Sequence, residues 1–236
     1  MAHLYTAVRP WPRLGLLTLV AAAVGCTSGS GPVTDLPALD VRYAERRGPA
    51  GTAPRIGPAG DAAHALGLPA LHSTTLPDGA RELRVSDWYG MIAGTPVPVL
   101  RLVEQPGRAA VGQWIWVWTE RSEWPRRYRA ARCSSWSNGV RVCAAGSTGT
   151  PPNWPAVAEQ LDHLGAWVLT DRCETDGVHV TDSGALLIQR LAGTEFATYE
   201  CNTPDRRSDS AAGRAALAVY RYFSALARQA GGPPPA

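Results

Sequence analysis

The feature that most constrains the fold is a run of alternating tryptophans near the middle of the chain. Residues 111–120 read VGQWIWVWTE, with Trp114, Trp116 and Trp118 at every second position. Because successive side chains of a strand point to opposite faces, the three indoles would share one face while Ile115 and Val117 occupy the other. A strand that is apolar on both faces needs cover on both, so this segment predicts a central strand of a sheet.

Two interpretations of this tryptophan stripe follow from the residues. Regular aromatic spacing is most often core packing, which we favour, although each buried indole N–H would then need an acceptor. The alternative is a binding platform, because aligned indoles stack well on sugar rings or extended peptides. Trp114, Trp116 and Trp118 are therefore kept as a candidate binding surface.

A basic and aromatic segment follows the stripe. Residues 121–132 read RSEWPRRYRAAR, and Arg126, Arg127 and Arg129 extend the candidate surface. Such a mixture can hold phosphate groups or anionic lipid heads, whereas the simpler interpretation is a solvated loop between two hairpins.

The charge balance argues against nucleic acid as a partner. All 23 basic residues are arginine, and two of them, Arg9 and Arg13, lie in the amino-terminal segment. Without that segment 21 arginines face 20 acidic residues, and a net charge of only +1 is too small for a protein whose main partner is a phosphate backbone.

The amino terminus has the build of an export signal. Arg9 and Arg13 precede an apolar run over residues 14–24, which is too short to cross a bilayer about 30 Å thick. We expect residues 1–25 to be a signal peptide.

The end of that run resembles the lipobox of bacterial lipoprotein precursors. The residues are Ala23, Val24, Gly25 and Cys26, with alanine at the position where leucine is most common. The resemblance implies cleavage before Cys26, acylation of its thiol and attachment to a membrane. The alternative is ordinary secretion, with cleavage after residues 21–23 and release of a soluble domain without lipid.

Composition divides the rest of the chain. Residues 26–60 are rich in Gly, Pro, Ala and Ser and predict a disordered tether, residues 61–229 have the length of one domain, and residues 230–236 predict a disordered tail. Apolar alternation predicts strands at 81–89, 97–105 and 110–120 in an antiparallel meander. A turn at Gly193 and Thr194 would pair Leu191 with Phe196 and Leu186 with Cys201.

Helical periodicity completes the prediction of the fold. Asn153 can cap a helix that runs to about Leu169, and a second helix is expected over residues 209–228. The sequence therefore predicts an α+β domain, with an antiparallel sheet, in one part or two, and both helices packed on one face.

Four cysteines remain when Cys26 is set aside, and an even number in an exported chain predicts disulfides. A three-residue hairpin loop ending in Gly139 would place Cys133 directly across from Cys143. Pairing of Cys173 with Cys201 follows by elimination.

Enzyme chemistry is restricted by residue content. Without lysine the chain has no Schiff-base lysine, Ser-Lys dyad or P-loop lysine. The remaining catalytic candidate is a hydrolase site that joins His179 to Asp87 or Asp171. We expect no metal and no cofactor, because neither the histidines nor the acidic loop before Gly177 has ligand spacing.

The functional expectation is an exported, lipid-anchored protein of the cell envelope, in the cell membrane or an outer membrane. Its domain would be a non-catalytic binding or structural module, with an envelope polysaccharide or protein as partner and no nucleic acid. An envelope hydrolase and a secreted domain without lipid are the alternatives.

Overall fold

A seven-stranded antiparallel sheet forms the centre of the domain. The computed structural model describes residues 44–45, 63, 65–87, 95–119, 132–135, 141–169, 185–202 and 210–233, all within the compact unit Pro32–Ala236. The strands are β1 (Ala44–Glu45), β2 (Thr74–Thr75), β3 (Arg81–Asp87), β4 (Val97–Glu104), β5 (Val111–Thr119), β6 (Arg132–Ser135), β7 (Arg141–Gly146), β8 (Ala185–Ala192) and β9 (Glu195–Asn202). The large sheet has the order β6-β7-β5-β4-β3-β8-β9, and β1 pairs separately with β2.

The predicted meander and hairpin are confirmed. Strands β3, β4 and β5 are consecutive antiparallel neighbours, and the β8–β9 hairpin aligns Leu191 with Phe196 and Leu186 with Cys201. Gly193 has φ 56° in the connecting turn, in the left-handed region that glycine adopts without a steric penalty. Local turn chemistry therefore sets the register of this edge of the sheet.

Two α-helices whose full bounds lie within the described residues accompany the sheet: α1 (Trp154–His163) and α2 (Ala211–Gln229). The Asn153 side chain caps α1 by accepting a hydrogen bond from the backbone N–H of Ala156 at 3.4 Å. That helix ends at His163 and not near residue 169, because Gly165 has φ 79° and turns replace the helix over residues 164–168.

The second helix follows the sequence prediction within two residues at each end. It spans Ala211–Gln229 where residues 209–228 were expected. Ser210 caps it by accepting from the backbone N–H of Gly213 at 2.9 Å. A short 3₁₀ helix, Leu71–Ser73, precedes β2, and no helix in the described ranges is both long and apolar enough to span a membrane.

Two short segments beyond the two ends of the predicted domain pair with described parts of it. Ala44 and Glu45, within the expected tether, pair with Thr75 and Thr74. At the other end, carbonyl groups of the segment 230–232 accept hydrogen bonds from the backbone N–H groups of residues 148 and 149. The expected signal peptide and Cys26 lie outside the described residues.

Strand alternation divides the sheet into two buried sides. The side that carries Leu100, Trp114 and Trp116 is called the Trp side, and the side that carries Arg84, Arg101 and Ile115 is called the Arg side. On the Trp side, one apolar cluster joins strand residues to residues of both helices; the strand members include Leu83, Leu100, Trp114, Ile188 and Tyr199, and the helix members include Val157, Leu161, Ala216, Val219 and Phe223.

The Arg side combines a small apolar cluster with buried ions. Val99, Ile115 and Val117 pack with Val142, Ala144 and Ala65. Beside them, Glu82 Oε1 accepts hydrogen bonds from Arg84 Nε at 2.7 Å and Arg101 Nε at 2.8 Å. These three charged side chains are all buried, and Arg84 also donates to the carbonyl of Pro69 at 3.2 Å, which ties the segment before β2 to the sheet.

The predicted Cys133–Cys143 disulfide is present. The two cysteines are direct partners in the β6–β7 register, with their Cα atoms 4.1 Å apart. Cys201 is disulfide-bonded as well, to a partner outside the described residues, so its pairing with Cys173 stays a prediction.

Candidate functional site

The structure divides the tryptophan stripe between core and surface. Trp114 is only 4% exposed and contacts the ring of Phe223, with ring centroids 5.7 Å apart. Trp118 is 1% exposed and packs with Cys143 and Ala145. Only Trp116 is partly exposed, so the three indoles do not form the continuous platform that one interpretation predicted.

The orientation of the Trp116 ring determines what it offers to a ligand. Its Nε1 atom is buried and has no hydrogen-bond partner among the described residues. Because the polar atom points inward, the exposed part of the indole presents carbon. Such a surface favours apolar faces and C–H groups over hydrogen-bonding partners.

A cleft of about 330 Å³ lies beside Trp116. One wall comes from the start of β4 and from β5, where Pro98 and Trp116 are direct partners in the register. The other wall comes from the C-terminal half of α2. The lining residues are Asp87, Pro96, Val97, Pro98, Trp116, Phe223, Ser224, Ala227, Arg228 and Gly231.

Two charged side chains of opposite sign line this cleft. Asp87, the last residue of β3, is held in place because Oδ1 accepts from the backbone N–H of Ala185 at 3.2 Å and Oδ2 accepts from the Tyr220 hydroxyl at 3.1 Å. Arg228, near the end of α2, is exposed and forms no ion pair with any described residue. The cleft therefore offers a fixed acceptor, a cationic donor and an apolar surface within one small volume.

Most of the other sequence candidates lie in segments that the structure does not describe. Arg126, Arg127 and Arg129 lie outside the described residues, as do His179 and Asp171 of the hydrolase hypothesis. Of that hypothesis the structure places only Asp87, in the cleft. Within the described ranges, no group of three His, Cys, Asp or Glu side chains could hold a metal ion.

The sequence pointed to Trp116 and, in a separate hypothesis, to Asp87, but not to the other residues that line the cleft. The meander prediction contains Pro98 but does not place it opposite Trp116. Phe223 and Arg228 lie in α2, each more than 100 residues after Trp116 in the chain. Their position beside Trp116 depends on how α2 packs, which no local pattern in the sequence specifies.

Comparisons with protein-family models, with curated proteins and with solved structures found no match. The residues of the cleft and the pattern of the amino terminus are therefore the features that bear on function.

Proposed function

We propose that this chain is an exported, lipid-anchored protein of the cell envelope, whose domain binds a ligand in the Trp116 cleft without catalysing a reaction. The observation that carries the proposal is the meeting of a partly exposed Trp116, a fixed Asp87 and an exposed Arg228 around a cleft of about 330 Å³. Concave sites that combine an apolar surface with a few placed polar groups are typical of small-ligand binding.

Export and anchoring are supported by the amino terminus and by cysteine chemistry. The segment before Cys26 resembles a lipobox, and acylation there would tether the domain to a membrane. The Cys133–Cys143 disulfide is consistent with an oxidising compartment outside the cytoplasm.

The proposal includes the packing of both helices on the Trp side of the sheet. It is supported by the single apolar cluster that contains Leu161 of α1 and Phe223 of α2 together with Trp114. Packing of α2 there gives the cleft its second wall, because Phe223 and Arg228 both line it.

A binding role is favoured over hydrolysis by the lining of the cleft. Among its described lining residues Asp87 is the only carboxylate, and none is a histidine. Both Asp87 oxygens accept hydrogen bonds from the protein, which suits a positioned acceptor better than an acid or base that exchanges protons.

Membrane anchoring is tested with Cys26→Ser in the full chain. We expect the wild-type protein to remain with washed membranes and the Cys26→Ser variant to appear in the soluble fraction. A Cys26→Ser variant that stays with membranes through high-salt and alkaline washes would show that lipid on Cys26 is not the anchor.

Binding in the cleft is tested by hydroxyl-radical footprinting of the full chain, with and without soluble fragments of the envelope of the producing organism. We expect Trp116 to become protected. Val111 and Val168, which are 40% and 73% exposed and lie outside the cleft, serve as internal controls that stay unchanged. Absence of protection at Trp116 would count against a binding role for this cleft.

A further inference from the structure

We infer that the Trp116 cleft binds a pyranose sugar, as a mono- or disaccharide unit of an envelope glycan. This inference rests on the proposed binding function and names the chemistry of the ligand. It follows from the pairing of a carbon surface with an anchored carboxylate and a guanidinium in the same cleft.

The apolar part of the cleft suits the C–H face of a sugar ring. The exposed part of Trp116 is carbon, because its Nε1 atom is buried. Pro98 lies beside it as its direct cross-strand partner, and Phe223 is part of the same lining. A pyranose has a face of C–H groups that stacks on such a surface, while its hydroxyls project around the ring edge.

The polar groups match what the ring edge requires. A hydroxyl both donates and accepts, so neighbouring hydroxyls use an acceptor and a donor at the same time. Asp87 supplies the acceptor, held in place by Ala185 and Tyr220, and each carboxylate oxygen can accept more than one hydrogen bond. Arg228 and the Ser224 hydroxyl supply donors.

Other ligand classes use this set of groups less completely. An acyl chain would cover the Arg228 guanidinium without giving it a partner, which costs free energy. An anionic ligand would gain from Arg228 but would face Asp87. A proline-rich peptide would pack on Trp116, yet proline has no N–H to donate to the carboxylate.

The experiment compares intact and oxidised glycans as ligands of the full chain, purified in a detergent without a sugar head group. The probe is a protease-digested glycan fraction of the producing organism's envelope, hydrolysed to short fragments. Half of it is oxidised with periodate, which cleaves vicinal diols, and is then reduced and desalted. Binding is measured by footprinting at Trp116.

We expect the intact fragments to protect Trp116 and the oxidised fragments to bind about tenfold more weakly or not at all. Equal protection by both would overturn the sugar assignment and leave the binding function standing. If neither protects Trp116 but undigested envelope protein or lipid vesicles do, the ligand is of another class. No protection by any of these would overturn the binding function itself.

Variants test the role of each group. Arg228→Ala should weaken binding about tenfold, as expected for loss of a charged hydrogen bond, while Arg221→Ala, an exposed arginine of the same helix outside the cleft, should bind like wild type. Trp116→Phe should keep most of the affinity, and Trp116→Leu should lose it because the aromatic face is gone. The affinities of all the variants are measured by isothermal titration calorimetry, because a footprint at position 116 needs the indole. Equal affinities for Arg228→Ala, Arg221→Ala and Trp116→Leu would contradict the inference.

Discussion

The two sides of the sheet bury very different residues, although they belong to the same strands. The Trp side is filled by aromatic and aliphatic groups, with Trp114 against Phe223, and it opens at Trp116. The Arg side buries charged side chains, and Glu82 accepts hydrogen bonds there from both Arg84 and Arg101. The comparison indicates that buried charge alone does not mark the site. The candidate ligand site lies where apolar packing is incomplete.

The buried polar groups of the Arg side form a row across four strands. Gln113, Arg101, Arg84 and Gln189 are successive register partners from β5 to β8, and all four are buried. A slip of one residue between strands would move these side chains into the apolar cluster of the Trp side. The row therefore disfavours strand pairings shifted by one residue. A row of apolar side chains would not do so, because it could move into the apolar cluster of the Trp side without a polar group being buried there.

The largest expected effect comes from the buried end of the tryptophan stripe. Trp114→Ala should lower the free energy of unfolding by about 3–5 kcal/mol, because a large cavity would remain beside Phe223. Trp116→Ala should cost clearly less, since part of that ring already faces the cleft. Urea denaturation of both variants measures the difference, and equal costs would contradict the division of the stripe into core and surface.

The next effect tests the Arg side. Glu82→Gln should lower the free energy of unfolding by about 3 kcal/mol, because two buried guanidiniums would lose the charge they share. Glu104→Gln is the matched control: Glu104 pairs with Arg81 at 2.8 Å, but both side chains are partly exposed, so its loss should cost less than about 1 kcal/mol.

A triple replacement sharpens the same test. When Glu82, Arg84 and Arg101 are replaced together by apolar residues of similar size, much of the stability should return, because no buried charge is left without a partner. If the triple variant is no more stable than Glu82→Gln, the cost comes from the shape of these side chains and not from their charge.

The sequence predicted the parts of the fold that short-range patterns control. The turn at Gly193, the cap at Asn153 and the alignment of Cys133 with Cys143 all depend on residues close together in the chain. The first helix was predicted too long because its apolar period continues past Gly165 to Val168, which is in fact exposed.

The parts that depend on distant segments were not predictable. In β3, Glu82 and Arg84 alternate with Leu83 and Val85, a pattern typical of a strand with one solvent-facing side. Both charged residues are nevertheless buried, under cover that includes the segment around Pro69. Likewise, the cleft forms only because α2 lies beside Trp116. The helical period in the sequence predicts that α2 has an apolar face, but it does not predict which residues pack against that face.

The smallest expected effect compares two arginines of one strand. Arg81 and Arg84 point to opposite sides of β3. The Arg81 guanidinium lies 4.4 Å from the ring centroid of Trp167 and also pairs with Glu104, but its side chain is 31% exposed. Arg81→Ala should therefore lower the free energy of unfolding by only about 1 kcal/mol.

Arg84→Ala provides the counterpart, since Arg84 is buried and contacts both Glu82 and the Pro69 carbonyl. It should lower the free energy of unfolding several times more than Arg81→Ala does in the same denaturation experiment. The reason is that the Pro69 carbonyl and part of the Glu82 carboxylate would lose their hydrogen-bond donor at a place that water does not reach. A similar decrease in the free energy of unfolding for the two variants would mean that water reaches the Arg side as readily as it reaches Arg81. The free energy of an arginine contact in this sheet would then depend on the partner it meets and not on the side it faces.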